Sequence, residues 1–299
     1  KIISIFILAS CQTLGFNQED PNVPVKLDLN YESFMSESWL NKAETPLINF
    51  NFFGENIESE MFFDINGTTI FSVNDNQLSL INYDSGEVQK SYELETSRII
   101  SGVSGGYKTY LYPDADGVIY AHESGSGDLK WTKALEDVVL SEILITSTNV
   151  YVQTSSDVLY GLNLQNGETQ WSKKAQAPLL SIRGTASPVA FEGLIFTSFS
   201  NGRLAAVREV DGIQLWEKPI SRLKGSTELE KLMDADSKAV PINEDVFVAN
   251  YNGSLTRFNI RGGEKVFSVD HSTLKPIVLH KNIIASINTD EEILGFNAV

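Results

Sequence analysis

The chain has 299 residues, 42% of them apolar, enough to bury a sizeable core and unlike the composition of a disordered protein. Its net charge of −16 repels phosphate backbones, which excludes nucleic acid as a partner and favours a soluble acidic surface or a basic partner patch. The single cysteine, Cys11, excludes an internal disulfide.

The first segment, "KIISIFILASC", places one lysine before an apolar run from Ile2 to Ala9 and ends on Ser10 and Cys11. This is a signal-peptide layout, too short to cross a membrane. Leu8-Ala9-Ser10-Cys11 resembles a bacterial lipobox. That resemblance implies cleavage before Cys11 and acylation of its thiol, and several acyl chains make a stable anchor. Gln12 follows where an aspartate commonly retains such lipoproteins in the inner membrane, which fits outer-membrane sorting. Residues 1–10 therefore read as an incomplete signal peptide. Residues 11–36, polar and punctuated by proline, read as a lipidated tether.

From residue 37 onward the chain reads as one repeat domain. Five segments align: "TTIFSVNDNQLSLINYDSGEVQKSYEL" from Thr68, "KTYLYPDADGVIYAHESGSGDLKWTKAL" from Lys108, "TNVYVQTSSDVLYGLNLQNGETQWSKKA" from Thr148, "EGLIFTSFSNGRLAAVREVDGIQLWEKPI" from Glu192 and "EDVFVANYNGSLTRFNIRGGEKVFSVD" from Glu244. Each holds two alternating strands around a polar turn, then a glycine turn and a third strand. Period-two alternation predicts half-buried strands, and the Gly and Asn/Asp positions suit tight hairpins.

Trp131 and Trp171 are 40 residues apart, Trp171 and Trp216 45. A period of that length with several strands per unit predicts the four-stranded antiparallel blades of an all-β propeller. The recurring Trp, replaced by Phe267 in the fifth unit, is predicted to pack between blades. Trp39 resembles the end of a further unit. One short helix is predicted at Ser226–Asp236, where a near-capping-box pattern interrupts the repeat. A sixth unit, "KNIIASINTDEEILGFNAV", runs two strands to Val299. Two arrangements fit: six blades completed by the N-terminal strand, or, as the preferred reading, a C-terminally truncated copy of a longer ring with about five and a half blades present.

Site chemistry is sparse. His122, His271 and His280 have no ligand spacing. No nucleophile elbow or phosphate-binding loop occurs. "PDADG" at 113–117 lacks the remainder of a calcium loop and reads as a hairpin turn. The blades resemble those of pyrroloquinoline-quinone enzymes, a likeness of fold that leaves a periplasmic quinoprotein-like enzyme or ligand binder as the alternative reading.

The segment 180–253 carries a more specific pattern: "LSIRG", then "SNGRLAAVREVDGIQLWEKPIS", "GSTELEKLMDADSKAVPIN" and "YNGSLT". In order and spacing it resembles the BamB family of outer-membrane assembly lipoproteins. The resemblance implies an eight-bladed ring without cofactor or catalysis. It implies a scaffold in the periplasm, lipid-anchored to the outer membrane, that binds the POTRA domains of BamA within the BAM complex. It further implies help in passing unfolded outer-membrane proteins to that machinery. The family's contact motifs fall here on Leu180, Ile182, Arg183, Asp234 and Asp236, with Ile182 a conservative departure from leucine. Independently, an arginine fork beside apolar anchors is characteristic of binding hot spots, and Asp234 and Asp236 suit either a basic partner or an internal pair with Arg183.

Overall fold

The computed structural model describes residues 25–26, 49–50, 56–57, 62–74, 76–96, 99–175, 186–221 and 237–298. Six four-stranded antiparallel sheets and one two-stranded pair account for the named strands, and no helix occurs among the described residues. The expected helix at Ser226–Asp236 lies outside those residues.

Each of the first five sheets is a meander of consecutive strands, at 62–93, 104–134, 144–174, 189–219 and 240–270. Periodicity predicts three strands per unit. The fourth is a short innermost strand such as Leu144–Ile145 or Val240–Ile242, too brief to show periodicity. In the sixth sheet, three strands at 278–297 are joined by Val25–Lys26 from the N-terminal segment, which pairs Val25 with Gly295 and Lys26 with Leu294. The sheet thus holds one more strand of its own than the two read from the sequence.

Alternation predicted half-buried strands, and the outermost strands comply. In Thr169–Lys174, Trp171 is the sole buried residue. The second strands alternate in the first and sixth sheets but not in the sheets between, where Thr109–Pro113 and Asn149–Gln153 are buried at every position. The reason is tertiary, because these sheets have a neighbour on both faces and both sides of the strand leave water. Five hydrophobic cores lie between consecutive sheets. Val150 and Val152 pack toward the second sheet, while Tyr151 between them packs toward the fourth. This stacking of blades on one another is the propeller architecture.

The turns recur with the repeat. Asn82, Asn163 and Asn259 each accept, through Oδ1, backbone N–H groups two and three residues ahead. These bonds initiate the turn into the outermost strand. A one-residue register shift follows at the same place in five sheets, for example between Gly161 and Leu162. It re-aims the outer strand so that its aromatic ring turns inward. Trp131, Trp171 and Trp216 donate Nε1–H to Leu164 O, Glu209 O and Ile260 O of the next sheet, at 2.9, 3.1 and 2.9 Å. The aromatic positions therefore pack between sheets, and each buried indole N–H has its acceptor.

His271 follows the outermost strand of the fifth sheet and reaches the sixth, with Nε2 2.7 Å from Ser286 Oγ and its ring edge-on to Phe296. Burial holds its imidazole below the ordinary histidine range. Because the unfolded chain titrates near about 6.5, it binds more protons than the folded protein as pH drops through that value. Stability therefore falls with acidification. Denaturant midpoints measured at about pH 7.5 and about pH 5.5 are expected to separate less in His271→Gln than in wild type; equal separation in both would remove His271 as the source.

Candidate partner-binding face

The hairpin turns and connections sort to two ends of the sheets. The turn between second and third strands sits beside the connection to the next sheet, as backbone bonds show: Ala175 N–H to Asp157 O, Ile220 N–H to Gly202 O and His271 N–H to Gly253 O. Two such connections matter here, 175–188 from the third sheet to the fourth and 220–239 from the fourth to the fifth. Leu180, Ile182 and Arg183 belong to the first, and Asp234 and Asp236 to the second. All five, and Cys11, lie outside the described residues. The roots of both connections are described, and both leave and return at the same end of adjacent sheets.

That end is built on buried polar links between the third and fourth sheets. Gln153 donates Nε2–H to Ser198 O at 2.9 Å and accepts from the Thr197 hydroxyl. Asp157 accepts from the Ser200 backbone N–H at 3.0 Å and from its hydroxyl. Such groups resist separation because a broken bond strands a desolvated partner. At the root of the second connection, Ser221 Oγ donates to Asn250 Oδ1 at 2.6 Å, tying it to the fifth sheet.

Toward the common centre, the innermost strands line a cleft of about 150 Å³ whose walls include Asp64, Asn66, Ser104, Glu142, Ser187 and Lys238. Hydrogen bonds run around it from sheet to sheet. Gly105 N–H donates to Asp64 Oδ2 at 2.8 Å and Ile143 N–H to Ser104 Oγ at 3.1 Å. Glu142 N–H donates to Ser187 Oγ at 3.2 Å, and Lys238 Nζ meets Glu142 Oε2 at 2.9 Å. Sequence reasoning missed Glu142, Ser187 and Lys238. The available signal is positional: each stands two residues before the innermost strand of three successive sheets.

Most of the other chemically active side chains are engaged in structural contacts. Asp114 of the "PDADG" turn accepts through Oδ1 from Asp116 N–H and Val118 N–H, both at 2.9 Å, as a hairpin turn requires. His122 stacks on Tyr110 with centroids 4.9 Å apart, and its Nδ1 lies 3.0 Å from Gly127 O. Tyr112 donates to Glu95, and burial together with that carboxylate raises the phenol above its usual range. His280 is exposed on its strand.

Comparison with known proteins places this architecture. The family model for outer membrane protein assembly factor BamB matches residues 74–298. A BamB of Yersinia pestis is 26% identical over 203 residues, covering 68% of this chain and 52% of the relative. The Escherichia coli K12 BamB is 29% identical over 291 residues, covering 77% and 74%. The crystal structure of BamB from Moraxella catarrhalis superposes with a TM-score of 0.69 at 22% identity, over 79% of this chain and 72% of that one. A computationally designed protein, Ika8, superposes at 0.64 with 11% identity, covering 81% of this chain and 72% of its own, so the architecture is shared beyond the family. The chain spans about half the length of the Yersinia relative. With the family model matching three-quarters of its residues across all six sheets, the chain belongs to the family of the outer membrane protein assembly factor BamB.

Proposed function

We propose that this protein is a non-catalytic scaffold of the machinery that inserts β-barrel proteins into the outer membrane, held at its periplasmic face by a lipid on Cys11. In this reading residues 1–10 are removed with the signal, 11–36 lead from the lipid to the sheets and lend Val25–Lys26 to the sixth, and 37–299 form the rest of the propeller. The partners are the POTRA domains of BamA, within the BAM complex, and unfolded outer-membrane proteins in transit. Leu180, Ile182, Arg183, Asp234 and Asp236 supply the contact. The observation that carries this reading is the return of connections 175–188 and 220–239 to one end of adjacent sheets, in a chain of this family. Two motifs distant in sequence are thereby rooted side by side.

An arginine fork pairs with carboxylates or carbonyls through several N–H donors, and reversing its charge leaves those acceptors unpaired. Arg183→Glu is expected to weaken binding of the isolated BamA POTRA domains at least about tenfold, with the denaturant midpoint unchanged. Titration calorimetry on the form beginning after Cys11 reads the affinity. Wild-type affinity in a folded Arg183→Glu protein would return the arginine to the scaffold.

A further inference from the structure

An asparagine followed by glycine is open to attack by its own backbone, because glycine has no side chain to shield its nitrogen. The chain holds four such pairs, Asn66–Gly67, Asn166–Gly167, Asn201–Gly202 and Asn252–Gly253. The fold closes three of them. Gly167 and Gly202 are buried and donate their N–H to Asn163 O and Phe199 O, both at 2.9 Å. Gly253 is buried against the side chains of Asn250 and Ser221. Gly67 differs on every count. It is exposed, its N–H has no acceptor among the described residues, and a Cβ added to it would meet no heavy atom within 4 Å.

Asn66 is also half of a clamp. It ends the innermost strand of the first sheet, Phe62–Asn66, in the wall of the central cleft. Its Nδ2–H donates to Gly105 O at 2.8 Å. Asp64, two residues earlier and so on the same face of the strand, accepts from Gly105 N–H at 2.8 Å. Both backbone groups of Gly105 in the second sheet are thus held by the first. The fit is close, since a Cβ on Gly105 would lie 2.2 Å from the Phe71 ring.

We propose that Asn66–Gly67 is a self-modification site, where conversion of the carboxamide to a carboxylate opens the joint between the first and second sheets at the cleft. The Gly67 nitrogen gives up its proton and attacks Asn66 Cγ. A C–N bond forms, the bond from Cγ to Nδ2 breaks, and the departing nitrogen takes up the proton and leaves as ammonia. Water then opens the succinimide ring at one or other carbonyl, yielding aspartate or isoaspartate with nothing oxidised or reduced. Either product has lost the donor to Gly105 O, which strands a part-buried carbonyl. Either adds a negative charge beside Asp64, in a protein already at −16. Isoaspartate also lengthens the main chain by a methylene, which displaces the Asn66–Thr69 pair that closes the hairpin.

The test ages the full chain in mildly alkaline buffer, folded and in urea, and follows all four pairs by peptide mapping with mass spectrometry and isoaspartate labelling. In the folded protein Asn66 is expected to convert at least about fivefold faster than any other pair, because the others require local opening; in urea the four rates are expected to converge. A different pair leading in the folded protein, or an Asn66 lead undiminished in urea, overturns selection of this site by the fold. Asn66→Asp stands in for the product, and Asn66→Ala removes the donor without adding charge. Amide exchange in peptides covering 62–69 and 104–109 is expected to quicken about five- to tenfold in Asn66→Asp and less in Asn66→Ala, with peptides covering 189–219 unchanged. Aged wild-type protein is expected to show the Asn66→Asp pattern in proportion to its converted fraction. Unaltered exchange in both Asn66→Asp and the aged protein overturns the opening of the joint.

Discussion

Trp171→Ala is expected to cost about 4 kcal/mol of folding stability, from the removal of a large buried ring and its cavity. The indole is 9% exposed, and it lies between the third and fourth sheets against Tyr151, with centroids 5.7 Å apart. Its Nε1–H bond to Glu209 O adds about 1 kcal/mol, and its loss leaves that carbonyl in search of water. The neighbourhood cannot collapse to fill the space. Tyr151 is fixed by its own bonds, accepting from Asn149 Nδ2 at 2.9 Å and lying 3.1 Å from Glu209 Oε1. Against a total of roughly 5–15 kcal/mol for a typical domain, such a loss removes a large share of the margin. Equilibrium denaturation reads it, and a cost below about 1 kcal/mol would show that the ring is not the joint between these sheets.

Gly212→Ala is expected to cost about 2–4 kcal/mol, and about half of that cost depends on Trp171. Gly212 has a φ of +71°, and an added Cβ would stand 2.6 Å from the nearest Trp171 ring carbon. The backbone conformation alone is worth about 1–2 kcal/mol against any L side chain. Overpacking against a fixed ring adds about 1–2 kcal/mol. The two contributions separate cleanly by comparison. Gly193 has a φ of +76°, and a Cβ added there would have no heavy atom within 4 Å, so Gly193→Ala carries the backbone cost alone. In a Trp171→Ala background, Gly212→Ala should fall to the Gly193→Ala value, giving a coupling of about 1–2 kcal/mol. Full additivity of the two substitutions would refute the contact. Gly167 beneath Trp131 and Gly263 beneath Trp216 repeat the arrangement one sheet before and one sheet after.

Much of this was legible from residues. The Trp period of 40–45 and the glycine ahead of each outer strand specify a hairpin whose outer strand carries one inward ring. What periodicity missed is equally specific. Asn149–Gln153 shows alternation, yet every position is buried, because alternation reports a difference between two faces only when one of them meets water. The innermost strands after the first sheet escaped notice because two or three residues hold less than one full alternation. Leu180, Ile182, Arg183, Asp234 and Asp236 came from a resemblance of motif, and the described structure supplies only the roots between which they lie. Glu142, Ser187 and Lys238 were missed for the opposite reason: no motif marks them, and only their shared place in the repeat brings them together.

The local units of this protein follow from its amino acids alone. Strand, turn and ring positions are short-range properties, set by side-chain alternation, by Asn and Gly at the turns, and by the spacing of Trp131, Trp171 and Trp216. Which units share an interface, and which polar groups converge at the centre, was settled by packing in three dimensions. Stacking sheet on sheet buries both faces of the central strands. It hands Val25–Lys26 to a sheet near the other end of the chain, and it sets Glu142 against Lys238 across an intervening sheet. Those contacts come from packing apolar faces together, a force without direction along the chain, so no local pattern encodes which distant residue will be met.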